Sequence, residues 1–212
     1  TQIIEHAASR HIQILALTDH DDVAGIEEAS RVAREKNIIF IAGVEISVTW
    51  QNKTLHILGL GIDPQSFPLV NGLSAIREGR IGRAQNIARQ LDKFGIHGSF
   101  EGAQFYASRG KLIGRTHFAR FLVEKGYAKD VRAVFKKYLV KGKPGYASHQ
   151  WASLHDAVNW INISGGQAVI AHPGRYQLNK RLLESLLNEF KELGGLGIEI
   201  VSPSHSPEQI QL

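Results

Sequence analysis

Ile12-Gln13-Ile14-Leu15-Ala16-Leu17-Thr18-Asp19-His20-Asp21-Asp22 is a short apolar run that stops abruptly in a cluster of acids around one histidine. A run of this length and composition reads as a buried strand leading into a polar loop. On its N-terminal side residues 3–10 read as a helix, and on its C-terminal side Ile26 to Lys36 reads as an amphipathic one. Ile38 to Ile41 follows as a second strand. Val44 to Trp50 and Thr54 to Ile62 then form a strand pair turning at Gln51-Asn52-Lys53. Alternating helix and strand predicts an α/β fold whose parallel strands are joined by helices, either a doubly wound sheet or a barrel.

Between Pro64 and Gly145 the pattern turns helical: Leu69 to Phe94, Phe100 to Ser108, His117 to Lys125 and Val131 to Leu139. Alternation resumes with a helix at Leu154 to Ile163, a strand at Ala168 to Ala171, a helix at Lys180 to Leu193 and a strand at Gly197 to Val201. The expected organisation is therefore a barrel from residues 1–64 and 146–212, with 65–145 a helical insertion or cap. A barrel that opens on a helix, and closes on the helix-start pattern Ser206-Pro207-Glu208, reads as cut at both ends. The absence of methionine, even at position 1, points the same way.

With 212 residues, 43% of them hydrophobic, the chain can bury a sizeable core. No apolar run approaches the ~20 residues of a membrane span, and no signal-peptide pattern opens the chain, so a cytoplasmic protein is expected. Zero cysteines exclude a disulfide framework and thiolate ligands. Any metal must be held by His, Asp and Glu, which suits Mn, Fe, Zn or Mg. The net charge is +5, but Arg109 to Lys143 alone carries eleven Lys/Arg against Glu124 and Asp130. A block of that kind is either a face for an anionic partner, nucleic acid or nucleotide first, or a solvated helical surface.

Three expected strand ends deliver ligand-type side chains to one rim: Asp19-His20-Asp21-Asp22, Gly43-Val44-Glu45 and Ala171-His172-Pro173-Gly174. His56 lies inside the apolar stretch Leu55-His56-Ile57-Leu58, where it must find a hydrogen bond or a metal. Taken alone it reads as a core histidine. Joined to the rim residues it completes the mixed N/O donor set that a hydrolytic metal site needs. On the long helix Arg80 sits near the centre of an apolar stripe of Leu73, Ile76, Ala84, Ile87 and Leu91, with Arg83 at its flank. Each arginine either snorkels to solvent or offers its N–H fork to a phosphate. Gly114-Arg115-Thr116-His117 reads as a loop entering a helix, with Thr116 as N-cap, and is also a possible anion site. Ser204-His205, after the last strand, is a further rim candidate. His6, His11, His97, His149 and His155 read as surface residues.

In their order these motifs resemble the PHP family, named for polymerase and histidinol phosphatase. Thr18-Asp19-His20-Asp21, Gly43-Val44-Glu45, His56 and Ala171-His172-Pro173 match its successive metal-binding motifs. Leu58-Gly59-Leu60, Glu101-Gly102-Ala103-Gln104, His117 to Glu124, Val134 to Leu139 and Gln150-Trp151 resemble its bacterial ribonuclease AM and 3′,5′-nucleoside bisphosphate phosphatase branch. The resemblance implies a distorted (β/α)7 barrel with a helical insertion over its mouth, holding up to three divalent metals, often manganese. It implies His20, Glu45, His56 and His172 as metal ligands, with Glu45 bridging two ions and Asp19 supporting His20. Arg80, Arg83, Arg115 and Thr116 fall where this branch contacts substrate, with His117 and His205 as weaker candidates. The family's opening His-x-His strand, an acidic ligand soon after it, and its late Asp-x-His pair have no counterpart in these 212 residues. An incomplete ligand set, and weak or absent catalysis by this segment alone, are expected.

The function implied is hydrolysis of phosphate esters by metal-activated water, on 3′,5′-bisphosphorylated nucleotides and on the 5′ ends of single-stranded RNA. One alternative is a phosphatase for a small metabolite resembling histidinol phosphate. The other is a nucleic-acid-binding module without catalysis.

Overall fold

The computed structural model describes residues 2–107 and 113–201. His205, Ser204, Arg109, Lys111 and the helix-start pattern at 206–208 lie outside the described residues. The elements are α1 (Gln2–Ser9), β1 (Ile14–Leu17), α2 (Ile26–Glu35), β2 (Ile39–Trp50), β3 (Lys53–Leu60), α3 (Phe67–Lys93), α4 (Ser99–Tyr106), α5 (Arg115–Glu124), α6 (Val131–Val134), α7 (Leu154–Ile163), β4 (Gln167–Ile170), α8 (Lys180–Glu192) and β5 (Gly197–Ile198). By compactness they divide into residues 1–76 with 150–212, and residues 77–149.

The first unit is a mixed α/β structure on a five-stranded sheet in the order β1-β2-β3-β4-β5. Only β1–β2 and β4–β5 pair in parallel; β2–β3 and β3–β4 are antiparallel. The strand pair expected to turn at Gln51-Asn52-Lys53 is present as β2–β3, whereas the antiparallel pairing of β3 with β4 departs from the parallel alternation expected elsewhere. The β2–β3 turn is made at Gln51–Asn52, where two consecutive non-glycine residues at φ 44° and 60° give a tight reversal between Trp50 and Lys53. A two-residue turn of that hand can join only antiparallel neighbours.

A second departure from expectation lies in β2. The separate strands Ile38 to Ile41 and Val44 to Trp50 are one extended strand of 12 residues. Its first part pairs with β1, ending at Leu17↔Ala42, and its second part pairs with β3, beginning at Gly43↔Leu60. Glu45 therefore lies within a continuous strand, as the expected strand Val44 to Trp50 has it, and not after the end of a shorter one. Gly43 marks the change of partner: a Cβ there would lie 2.8 Å from Thr18 Cγ2 and 2.9 Å from the Gly59 carbonyl oxygen. Only glycine lets three backbones approach so closely.

Period-two alternation sorts the central strands into two faces. Val44, Ile46, Val48 and Trp50 of β2, with Leu55 and Ile57 of β3, are buried in the core against α7, α8 and the start of α3. Glu45 and Ser47 lie on the opposite face, as does His56, directly across from Ser47. His56 thus interrupts an apolar stretch in sequence without entering the core in space. Side-chain caps set the helices that follow: Ser153 Oγ accepts the Asp156 amide at 3.0 Å, and Asn179 Oδ1 accepts the Leu182 amide at 2.9 Å.

The second unit is helical, with a core of Ala84, Ile87, Leu91, Phe118, Leu122, Val134 and Leu139. The apolar stripe of α3 is shared: Leu73 and Ile76 belong to the first core, Ala84, Ile87 and Leu91 to the second. The expected helix Val131 to Leu139 divides into the α-helical turn α6 and a π-helical turn over Phe135–Leu139. Its N-cap is Asp130, whose Oδ1 accepts the Ala133 amide at 2.7 Å. Among the described residues no helix is long and apolar enough to cross a membrane.

Candidate metal centre

β1 stops at Leu17, and the chain keeps to the flank of β2 for a few more residues. The Asp19 carbonyl accepts the Glu45 amide and the Asp21 amide donates to the Glu45 carbonyl, each at 3.0 Å. This bridge sets His20 alongside Glu45. On the other side of the sheet β4 stops at Ile170, the Ala171 amide donates to the His56 carbonyl at 3.1 Å, and His172 follows. Residues from opposite ends of the chain thereby meet over the polar face of β2 and β3.

Glu45 Oε1 lies 2.9 Å from His56 Nδ1 and 3.0 Å from His172 Nε2, and those two nitrogens are 3.4 Å apart. Its other oxygen, Oε2, lies 3.5 Å from His20 Nε2. The His20 and His56 rings meet edge-on with centroids 4.6 Å apart. Donor atoms about 2.1 Å from a common ion lie about 3.0 Å apart at right angles and about 3.4 Å apart at the tetrahedral angle. The triangle of Glu45 Oε1, His56 Nδ1 and His172 Nε2 has those edges, so the residues present fit one divalent ion. Glu45 Oε2 with His20 offers the beginning of a second position, and both oxygens of one carboxylate are then in use.

The electrostatics agree with a cation site. Burial by itself raises the Glu45 pKa. The His56 hydrogen bond, the charges of His20 and His56 and the His172 hydrogen bond outweigh it and bring the carboxyl down to about 2. The carboxylate is thus ionised at any physiological pH. His172 has φ 29°, in the left-handed region that a non-glycine residue enters at a cost of about 1–3 kcal/mol. Its amide donates to Glu199 Oε2 at 2.5 Å, while its Nδ1 is buried without a hydrogen-bond partner among the described residues.

Three residues in this neighbourhood escaped the sequence reading. Asp21 is 0% exposed; its Oδ1 accepts the Ser47 amide at 2.7 Å and its Oδ2 the Ser47 hydroxyl at 3.0 Å. Tyr176 accepts the His56 amide at 2.8 Å and donates to the His56 carbonyl at 3.4 Å. Burial raises the Tyr176 phenol well above its ordinary range, so it remains a donor. Glu199 is the third. Asp21 stands inside the quoted acidic cluster, but nothing in the sequence separates it from the exposed Asp19, whose visible part in the site is its backbone carbonyl. Tyr176 and Glu199 could be found only from the fold.

The arginines belong to the helical unit. Arg80, Arg83 and Arg115 are half-buried. Burial, then repulsion from Arg115 and Arg80, lowers the Arg83 pKa to about 10, and its Nε donates to the Ala147 carbonyl at 3.3 Å. Burial likewise lowers Arg115. A half-buried guanidinium repelled by two others attracts a polyanion strongly. α5 begins at Arg115 with Gly114 as its N-cap, so Thr116 is an exposed first-turn residue and not the cap. The side chain that reaches back is His117, whose Nδ1 accepts the Gly114 amide at 3.0 Å. Burial, then Arg120, lowers the His117 pKa, keeping the ring neutral for that role. His149, expected at the surface, is half-buried against the backbone of Gly79.

The profile of the PHP domain matches residues 1–202. The 3′,5′-nucleoside bisphosphate phosphatase of Chromobacterium violaceum is 53% identical over 206 residues, covering 97% of this chain and 72% of that protein. The 5′-3′ exoribonuclease Rnm of Escherichia coli is 43% identical over 211 residues, covering 98% of this chain and 71% of that protein. Among solved structures, an amidohydrolase from Chromobacterium violaceum, described with bound sulfate and no metal, superposes with a TM-score of 0.92 at 52% identity. That superposition covers 99% of this chain and 74% of the other.

Proposed function

Because the chain belongs to the PHP domain family, we propose that it is a metal-dependent phosphoesterase acting on 3′,5′-bisphosphorylated nucleotides and on the 5′ end of single-stranded RNA. The observation that carries this reading is the triangle of Glu45, His56 and His172 donor atoms, with the second Glu45 oxygen turned to His20. His20, Glu45, His56 and His172 would hold the metal, with the two Glu45 oxygens turned to different histidines. Divalent ions held there, manganese by preference and up to three in number, supply Lewis acidity towards the phosphate ester and a nucleophilic water at neutral pH.

The chain's own residues do the rest. Glu45, already ionised, gives up no proton when a cation arrives, whereas the imidazoles must be neutral to bind one. Arg80, Arg83 and Arg115, with Thr116, hold substrate phosphates, which favours a substrate carrying more than one. The helical unit, residues 77–149, carries all four of these residues. Lys125, Lys129, Arg132, Lys136, Lys137, Lys141 and Lys143 are all exposed, and Lys137 lies 4.9 Å over the Tyr138 ring. A run of exposed cations suits the phosphates of an extended RNA strand better than a small metabolite, and the chain acts in the cytoplasm, where such RNA is found.

The test is an assay of the intact gene product with manganese on a 3′,5′-bisphosphonucleotide and on 5′-phosphorylated RNA. Phosphate release from the first and stepwise mononucleotides from the second are expected. Inertness towards both, with metal bound, would move the assignment to another substrate class.

A further inference from the structure

Ser47 and His56 face each other across β2 and β3. Their amides both point away from the ladder, towards strands that have already ended. β1 is last paired at Leu17↔Ala42, and β4 at Ile57↔Ile170. Two outward N–H groups in the middle of a sheet would otherwise lack protein acceptors. Side chains take the place of the missing strands: the Ser47 amide donates to Asp21 Oδ1 at 2.7 Å, and the His56 amide donates to Tyr176 at 2.8 Å.

The two captors come from the two loops that carry the outer members of the centre. Asp21 is the neighbour of His20, and Tyr176 ends the short helical turn that follows His172. Asp21 therefore ties the His20 loop to the strand bearing Glu45, and Tyr176 ties the His172 loop to the strand bearing His56. Asp21 holds its strand with both carboxylate oxygens, the second accepting the Ser47 hydroxyl at 3.0 Å. It does so at φ 51°, in the left-handed region that aspartate enters more readily than most non-glycine residues.

We propose that Asp21 and Tyr176 are a pair of positioning residues that lock the four donor side chains into coordination geometry before a metal arrives. They act through backbone amides, not through the ring N–H groups by which carboxylates and carbonyls ordinarily orient metal-binding histidines. The inference rests on the reading of His20, Glu45, His56 and His172 as ligands. Its content is that the bonds made by Asp21 and Tyr176 set metal affinity, beyond satisfying a sheet edge.

The experiment measures manganese affinity of the intact protein by electron paramagnetic resonance, with the unfolding midpoint of the metal-free protein in parallel. Tyr176→Phe and Asp21→Ala are expected to weaken manganese binding about 10–100-fold, the range for residues that orient ligands. Asp21→Asn can still accept the Ser47 amide and donate to its hydroxyl, so it is expected to restore most of the loss. The manganese concentration for half-maximal activity should rise with the dissociation constant, while KM for the nucleotide stays put. Should Asp21→Ala not fold, Ser47→Ala removes one of the two bonds and should show a smaller loss of the same kind. Unchanged manganese affinity in folded Tyr176→Phe or Ser47→Ala, alongside a His56→Ala control that loses metal, would overturn the proposal. If His56→Ala also binds manganese normally, the ligand assignment itself fails and the proposal with it.

Discussion

Glu45 and His172, 127 positions apart in the chain, meet with Oε1 and Nε2 3.0 Å apart. The contact exists because β2 outruns β1 and β4 ends opposite Ile57, which leaves both residues at the margin of the same polar face. Replacing Glu45 by Gln keeps the shape but removes the charge and the second anionic oxygen. Bound manganese should fall by at least one ion per chain, and kcat by more than the 10–100-fold typical of outer residues. Metal content after gel filtration, beside kcat at saturating substrate, checks this.

The same carboxylate predicts an acid limb in stability. Its folded pKa of about 2 lies below the ordinary value of 4.5, so it contributes stability above about 4.5 that is lost as pH falls towards about 2. The urea midpoint of the metal-free protein should exceed that of Glu45→Gln at pH 6. The difference should shrink between pH 4.5 and pH 2, whereas a gap independent of pH would assign the effect to packing.

Arg83 carries the opposite sign. A base whose pKa is depressed to about 10 by burial and by Arg115 and Arg80 is a net cost to the folded chain at all pH below about 10. An anion bound among these arginines relieves that cost. Phosphate should raise the thermal midpoint of the native protein, and Arg83→Gln should abolish the rise with little change in the midpoint without phosphate. The lost Ala147 bond, worth about 0.5–1.5 kcal/mol, offsets the relief of repulsion.

The exposed basic residues make a prediction about RNA alone. Lys136→Ala with Lys137→Ala should weaken binding of single-stranded RNA and lower the salt slope by about 0.7 per charge. Hydrolysis of a bisphosphorylated mononucleotide should be unaffected. Equal losses on both substrates would place these lysines at the small-molecule site.

Gly43→Ala tests the strand that changes partner. The new Cβ meets Thr18 Cγ2 at 2.8 Å and two backbone carbonyl oxygens at 2.9 and 3.0 Å. Backbone cannot yield as a flexible side chain can, so a loss of about 1–3 kcal/mol is expected. Because the displaced segment leads into His20, manganese affinity should fall as well.

The quoted strand and its acidic loop, the amphipathic α2 with Ile26, Ala29, Val32 and Ala33 buried, and the span of α7 were all legible, because each is a local pattern. Glu45 was recognised as a candidate, although the strand that carries it was read as starting anew at Val44. Gly43 suggested a strand end, whereas it permits a close crossing of backbones that local sequence does not record. His56 was legible as an anomaly but not as a member of the polar face, since that depends on its register with Ser47. Asp21 was indistinguishable from its acidic neighbours. Tyr176 and Glu199 act on backbone amides of residues 120 and 27 positions away, which no spacing rule reaches. The β2–β3 hairpin was legible in the Gln51-Asn52-Lys53 turn, whereas the antiparallel pairing of β3 with β4 was not, because alternation suggested parallel strands.

The most direct measurement is a crystal structure of the intact protein grown with manganese, with the ions located by anomalous scattering. An ion about 2.0–2.3 Å from Glu45 Oε1, His56 Nδ1 and His172 Nε2, with a second near Glu45 Oε2 and His20, is the predicted result. Manganese bound elsewhere, or these four side chains without an ion at saturating manganese, would contradict the account.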